Sequence, residues 1–258
     1  MNQDYTNQNY GYQPPEQGQP GEPKPRGGLI PEPYRKSKLS YLTLFFLLIF
    51  WPAVSLIFVG DPSEMLRTIS ISPIFMIYIP TMITQWLVFL LVFLTAWREK
   101  TGLAGVGFKR IRIIDFFWAA AFLFASNLVL SLLSAALAAV NIEIPGELSL
   151  ILPETGTERI FWVLLSLTAG ICEETAFRGY LITRLRIFGR MKSWVLPVII
   201  ASLSFGSGHA YQGLGGFILI SVYGAMFAVL FIRTKTLWPA VIAHFFQDFS
   251  ALFFPFEG

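Results

Sequence analysis

Residues 160–188 read IFWVLLSLTAGICEETAFRGYLITRLRIF. The run is long and apolar enough to cross a bilayer, and a spanning segment that satisfies its own backbone groups is a helix. Its interior nevertheless carries Glu173, Glu174 and Arg178. Ionised groups at bilayer depth cost about 2.5–3.5 kcal/mol each on insertion scales. A helix that keeps three of them is expected to use them.

The rest of the chain has the same character. Of its 258 residues 54% are hydrophobic and only 14% charged, and the mean hydropathy is +0.59. Soluble domains are about a quarter charged. The sequence therefore predicts an all-α, polytopic integral membrane protein, a helical bundle of about seven transmembrane helices. The expected spans are 41–59, 73–97, 114–140, 160–188, 194–211, 214–232 and 237–256. Residues 1–39 are rich in Gln, Asn, Pro, Gly and Tyr. They lack the apolar area to offset ordering entropy and read as a disordered cytoplasmic tail. Residues 40–258 form the membrane domain.

The charges orient the spans. Lys24, Arg26, Arg35, Lys36 and Lys38 precede the first span. Arg98, Lys100, Lys109, Arg110 and Arg112 follow the second. Arg184, Arg186, Arg190 and Lys192 close the fourth, and Arg233 and Lys235 follow the sixth. These are 16 of the 19 basic residues, all on one side. The opposite loops carry mainly acids. The positive-inside rule then predicts a multi-pass cell-membrane protein with a cytoplasmic N-terminus and an external C-terminus. The net charge of +3 reflects this orientation, with anionic lipid rather than nucleic acid as the partner. Cys172 is the single cysteine, so no intrachain disulfide can form. The glycines from Gly102 to Gly107 read as a flexible cytoplasmic turn, and Gly213 to Gly216 as the turn between spans five and six.

The chain has two histidines, His209 and His244, and both fall in late apolar segments. Consecutive helical residues point about 100° apart, so Glu173 and Glu174 are expected to face different neighbours. Glu174 and Arg178, at i and i+4, share a face and form an ion pair. Glu173 is left free to act as a general base. Phe205 and His209 are again i and i+4, as are His244 and Asp248. Counting back from the cytoplasmic turn, Glu173 lies about 22 Å deep and His209 about 24 Å, which predicts that they sit at similar depth. Asp248 can hold His244 in its charged form.

The stretches EETAFR at 173–178, FGSGH at 205–209 and HFFQD at 244–248 resemble the motifs E-E-x-x-x-R, F-x-x-x-H and H-x-x-x-N/D. These mark the CAAX-protease and bacteriocin-processing family of intramembrane glutamate proteases, also called the abortive-infection family. The resemblance covers about residues 100–252. It implies a helical membrane endopeptidase without a cofactor, acting on a membrane-bound protein or peptide. By motif position Glu173 would activate water with His209 as its partner, and His244 and Asp248 would form the oxyanion side. Glu174, Arg178 and Phe205 would support them. CAAX-cleaving relatives usually carry asparagine where this chain has Asp248. An ionised carboxylate repels an oxyanion, so Asp248 would act either as a protonated donor or through His244.

Other readings use the same residues. Two histidines with carboxylates could hold zinc in a membrane protease, although no H-E-x-x-H is present. Buried Glu, His and Asp also mark proton-coupled transporters, which usually show inverted repeats. A non-catalytic immunity or scaffold protein would keep the site without turnover. Cys172 reads as a small buried hydrophobe rather than a nucleophile.

Overall fold

The computed structural model describes residue 29 and residues 34–57, 72–142 and 151–253. Most of the expected tail, the 61–68 loop and most of the loop after span three fall outside these residues. The chain from Tyr34 onward is already part of the packed structure.

Seven main helices run through the described residues: α1 Lys38–Ile57, α2 Ile74–Arg98, α3 Ile113–Ala139, α4 Gly156–Phe188, α5 Val195–Ser207, α6 Gly213–Thr234 and α7 Trp238–Ser250. No strand occurs among the described residues. Reciprocal Ser or Thr caps start α1 and α4. Ser37 exchanges hydrogen bonds with Ser40 at the head of α1, and Thr155 does so with Glu158 at the head of α4. Each pair satisfies amides that lack a partner in the first turn.

The seven expected helices are present, but they differ in length. Five segments are long and apolar enough to cross a membrane; a short turn at Ala210–Gln212 is counted with α6. α5 and α7 have 13 residues each, about 20 Å of helix, against a hydrocarbon core of about 30 Å. α5 stops at Ser207, within the sequence Gly206-Ser207-Gly208. The chain then makes the Ala210–Gln212 turn and enters α6 at Gly213. His209 therefore lies in a turn rather than on the helix. Gly215 and Gly216, expected in a loop, belong to the first turns of α6.

α5 lies along α6, α7 packs against α4 and α3, and α2 packs against α4. The glycines at the contacts set the approach. A Cβ on Gly170 would stand 2.9 Å from the Val241 carbonyl oxygen and 3.3 Å from the Phe245 amide nitrogen. α4 and α7 thus meet backbone to backbone, as small residues allow in lipid. A Cβ on Gly206 of α5 would collide with Ser221 of α6.

The glycine-rich turn after α2 is not a loose connection. Leu103–Val106 form one 3₁₀ turn, Gly105 and Val106 are buried, and Gly107 takes a φ of 94°. Its carbonyl accepts the Leu237 amide at 2.9 Å, fastening the start of α7. Beneath it lies a second buried ion pair. Arg184 donates from Nε to Glu99 Oε2 at 3.0 Å, and from Nη1 to the Gly105 carbonyl at 2.6 Å. Glu99 Oε1 accepts from Ser40 Oγ at 2.8 Å, Tyr34 at 3.2 Å and Tyr180 at 3.3 Å. Arg184, which the charge pattern assigns to the cytoplasmic loop set, is a structural cation.

Candidate active site

α4 is α-helical to Glu173 and winds as a π-helix over Glu174–Leu181. The wider turn re-aims side chains and recurs at functional sites. Within it Arg178 Nη1 donates to Glu174 Oε1 at 3.0 Å. The guanidinium carbon lies 4.1 Å from the ring centre of Phe205 on α5 and 5.1 Å from that of Phe227 on α6. Both aromatics offer their electron-rich faces to the buried cation. Gly224 makes room for this packing, since a Cβ there would stand 3.0 Å from Phe205 and 3.3 Å from Arg178 Nη2.

α7 completes the cluster. His244 Nδ1 lies 2.8 Å from Glu174 Oε1, and the ring stacks on Phe227 at 5.4 Å. An ionised carboxylate only accepts, so Nδ1 carries the proton of this bond. Nε2 points the other way, 3.6 Å from Asp248 Oδ2 and 3.9 Å from Glu173 Oε2. The adjacent glutamates, expected to face different neighbours, thus flank the two nitrogens of one imidazole. Glu174 serves His244 as well as Arg178.

Exposure separates the two halves. The side chains of Glu174 and Arg178 are 0% and 2% exposed, whereas Glu173 is 19% and Asp248 34% exposed. A sealed inner half, Arg178–Glu174–His244, holds an outer half where Glu173 and Asp248 can meet water and substrate. The indole of Trp162 on α4 donates to the Asp248 backbone oxygen at 2.9 Å and ties down the end of α7.

His209 does not make the expected contact with Glu173. Among the described residues no carboxylate lies within ion-pair distance of it. Its Nδ1 is 3.4 Å from the Phe205 carbonyl, and its ring centre is 5.3 Å from that of Phe205. The helix ends too early to carry His209 across to α4, so Phe205 stands between His209 and Arg178.

Two contributors escaped the sequence reading. Phe227 looked like any apolar residue of α6. Gln85 of α2 donates from Nε2 to Glu173 Oε1 at 2.6 Å. It is the one amide side chain in the expected span 73–97, and a polar group in such a run was a readable signal. Among the described residues no three His, Cys, Asp or Glu side chains are spaced as metal ligands.

Residues 155–250 match a family profile described as Rce1-like, Type II CAAX prenyl endopeptidase Rce1-like. This is the CAAX-protease family that the three motifs resemble, and the matched stretch runs from the start of α4 to the end of α7. α1, α2 and α3, with Gln85, lie outside it. No curated protein and no solved structure matches the chain.

Proposed function

We propose that this protein is an intramembrane endopeptidase in which Glu173 activates water to hydrolyse a peptide bond of a membrane-associated protein. The family match of α4–α7 implies a membrane endopeptidase. The observation that supports the glutamate mechanism is the division of labour between the two carboxylates. Glu174 is sealed and spent on Arg178 and His244, while Glu173 is partly open and faces His244 Nε2.

In this reading the water oxygen attacks the carbonyl carbon and its proton passes to Glu173. The carbonyl π pair moves to oxygen, and the imidazolium form of His244 donates Nε2–H to that oxyanion while Nδ1–H stays on Glu174. When the C–N bond breaks, Glu173 returns the proton to the leaving amine, as a general base turned acid. Arg178 balances the carboxylates from below. His209, beyond Phe205, acts on the substrate side without touching Glu173. Glu173 and Gln85 both lie near the middle of their helices, so the scissile segment has to enter the bilayer. The test compares the protein termini of membranes from cells carrying the wild type with those from cells carrying Glu173→Gln. Termini that vanish in the variant identify substrates; an unchanged set refutes the mechanism.

Asp248 acts here as an anion that holds His244 charged. Asp248→Asn should then lower turnover about 10²–10³-fold, the usual cost of losing one oxyanion donor. Steady-state turnover per folded enzyme measures this. A raised rate would make residue 248 the donor itself, and an unchanged rate would remove it from the mechanism.

The charge pattern supports a cytoplasmic N-terminus. Single cysteines in a Cys172→Ser background provide the test at positions exposed in the structure. Ile111→Cys and Ser193→Cys should react with an impermeant maleimide only from the cytoplasm, and Thr157→Cys only from outside. Labelling of Thr157→Cys from the cytoplasm alone would reverse the orientation.

A further inference from the structure

We infer that Gln85 is the positioning residue of the general base, fixing the Glu173 carboxylate with its amide N–H and taking the second hydrogen of the attacking water on its carbonyl. The inference rests on the glutamate-protease reading and extends the site to a helix outside the matched segment.

Three observations carry it. The bond from Gln85 Nε2 to Glu173 Oε1 is short, 2.6 Å, and comes from α2, a helix that carries none of the charged groups around Glu173. It occupies one oxygen, so Oε2, the atom nearer His244 Nε2, is the one free to take a proton. The amide oxygen of Gln85 is buried and has no partner among the described residues. An unpaired buried acceptor is destabilising, and a Leu at this place in an apolar helix would avoid that cost. That oxygen belongs to the same amide whose Nε2 contacts the Glu173 carboxylate. A water bridging the two would give one hydrogen to Oε2 and the other to the Gln85 carbonyl, with a lone pair left for the substrate carbon. The indole of Trp86, the next residue, donates to Thr168 Oγ1 of α4 at 3.3 Å and holds this turn of α2 in register with α4.

The charged groups around Glu173 are otherwise all on α4 and α7: Glu174, Arg178, His244 and Asp248. None of them fixes Oε1. Gln85 is the single described side chain that does.

Gln85→Leu tests this, since leucine preserves bulk and inserts readily into lipid. The substrate is the protein whose terminus disappears in Glu173→Gln cells, reconstituted in liposomes with full-length enzyme. Gln85→Leu is expected to lower kcat about 10–100-fold, the scale of a misplaced reacting group, with KM within about twofold. Its melting temperature should not fall below that of the wild type, because the orphan acceptor is gone. Wild-type kcat in Gln85→Leu, beside an inactive Glu173→Gln, would overturn the inference and leave the protease reading standing. A raised KM at constant kcat would also overturn it, by making Gln85 a substrate contact. So would a lower melting temperature with unchanged turnover per folded molecule, which marks a structural role. If Glu173→Gln cleaves normally, the reading and the inference fall together.

Discussion

Glu173→Gln is expected to abolish cleavage while the protein still inserts and accumulates. The substitution keeps the shape of the side chain and its contact with α2, because an amide oxygen accepts the Gln85 N–H as a carboxylate does. It removes only the ability to take a proton. General-base catalysis is worth about 10²–10⁴ in rate, so turnover should fall by at least about 100-fold. Burial of Glu173 is incomplete, 19% of the side chain being exposed, and loss of its charge leaves no sealed cation without an anion. Glu174→Gln provides the contrast. Glu174 Oε1 receives both Arg178 and His244, so the change strips two buried cationic groups of their anion and should chiefly lower abundance. Quantitative immunoblotting of membranes beside turnover per folded enzyme separates the two effects. Near-wild-type turnover in Glu173→Gln would end the glutamate mechanism.

Arg184→Leu should cost more stability than any other single change discussed. Arg184 and Glu99 are both fully buried. The carboxylate is held further by Ser40, Tyr34 and Tyr180, and Arg184 also binds Thr101 Oγ1 at 3.2 Å. Removing one partner of a buried pair costs about 3–5 kcal/mol, because the other charge stays behind. Typical total stability is about 5–15 kcal/mol, so the variant should melt far below the wild type or fail to accumulate. Topology should not change, since Arg186, Arg190 and Lys192 remain at that end of α4. Combining Arg184→Leu with Glu99→Leu removes both charges, and most of the lost melting temperature should return. A single variant as stable as the wild type would show that the pair contributes little. A double variant no better than the single would assign the loss to packing around the guanidinium instead.

These two residues show how the sequence reading succeeded and where it stopped. Arg184 and Glu99 sit at the ends of apolar runs, where charges usually meet water, and Arg184 was counted with the loop charges. Only the fold of the 101–109 turn over them makes them interior. Glu173 and Glu174 were recognisable as site residues because carboxylates in mid-span are costly. Their directions were not, because a regular α-helical step was assumed where the chain winds as a π-helix. The neighbours of the histidines were hidden for a similar reason. Depth counting set His209 level with Glu173, but α5 ends at Ser207, and it is His244 of α7 that lies beside Glu173.

By itself the sequence determined the helical membrane class, the places of seven helices and the motif residues of α4, α5 and α7. Each of these is local: a helix in lipid satisfies its own backbone, and about 20 apolar residues suffice to declare it. The tertiary structure decided which glutamate is sealed, which histidine meets it, that Gln85 of α2 bonds Glu173, and that α5 and α7 are short. These depend on groups far apart in the chain. Glu173 and Gln85 are 88 residues apart, and His244 and Glu174 are 70 apart. Such pairs are set by how the helices pack against one another, which is not written in any one segment.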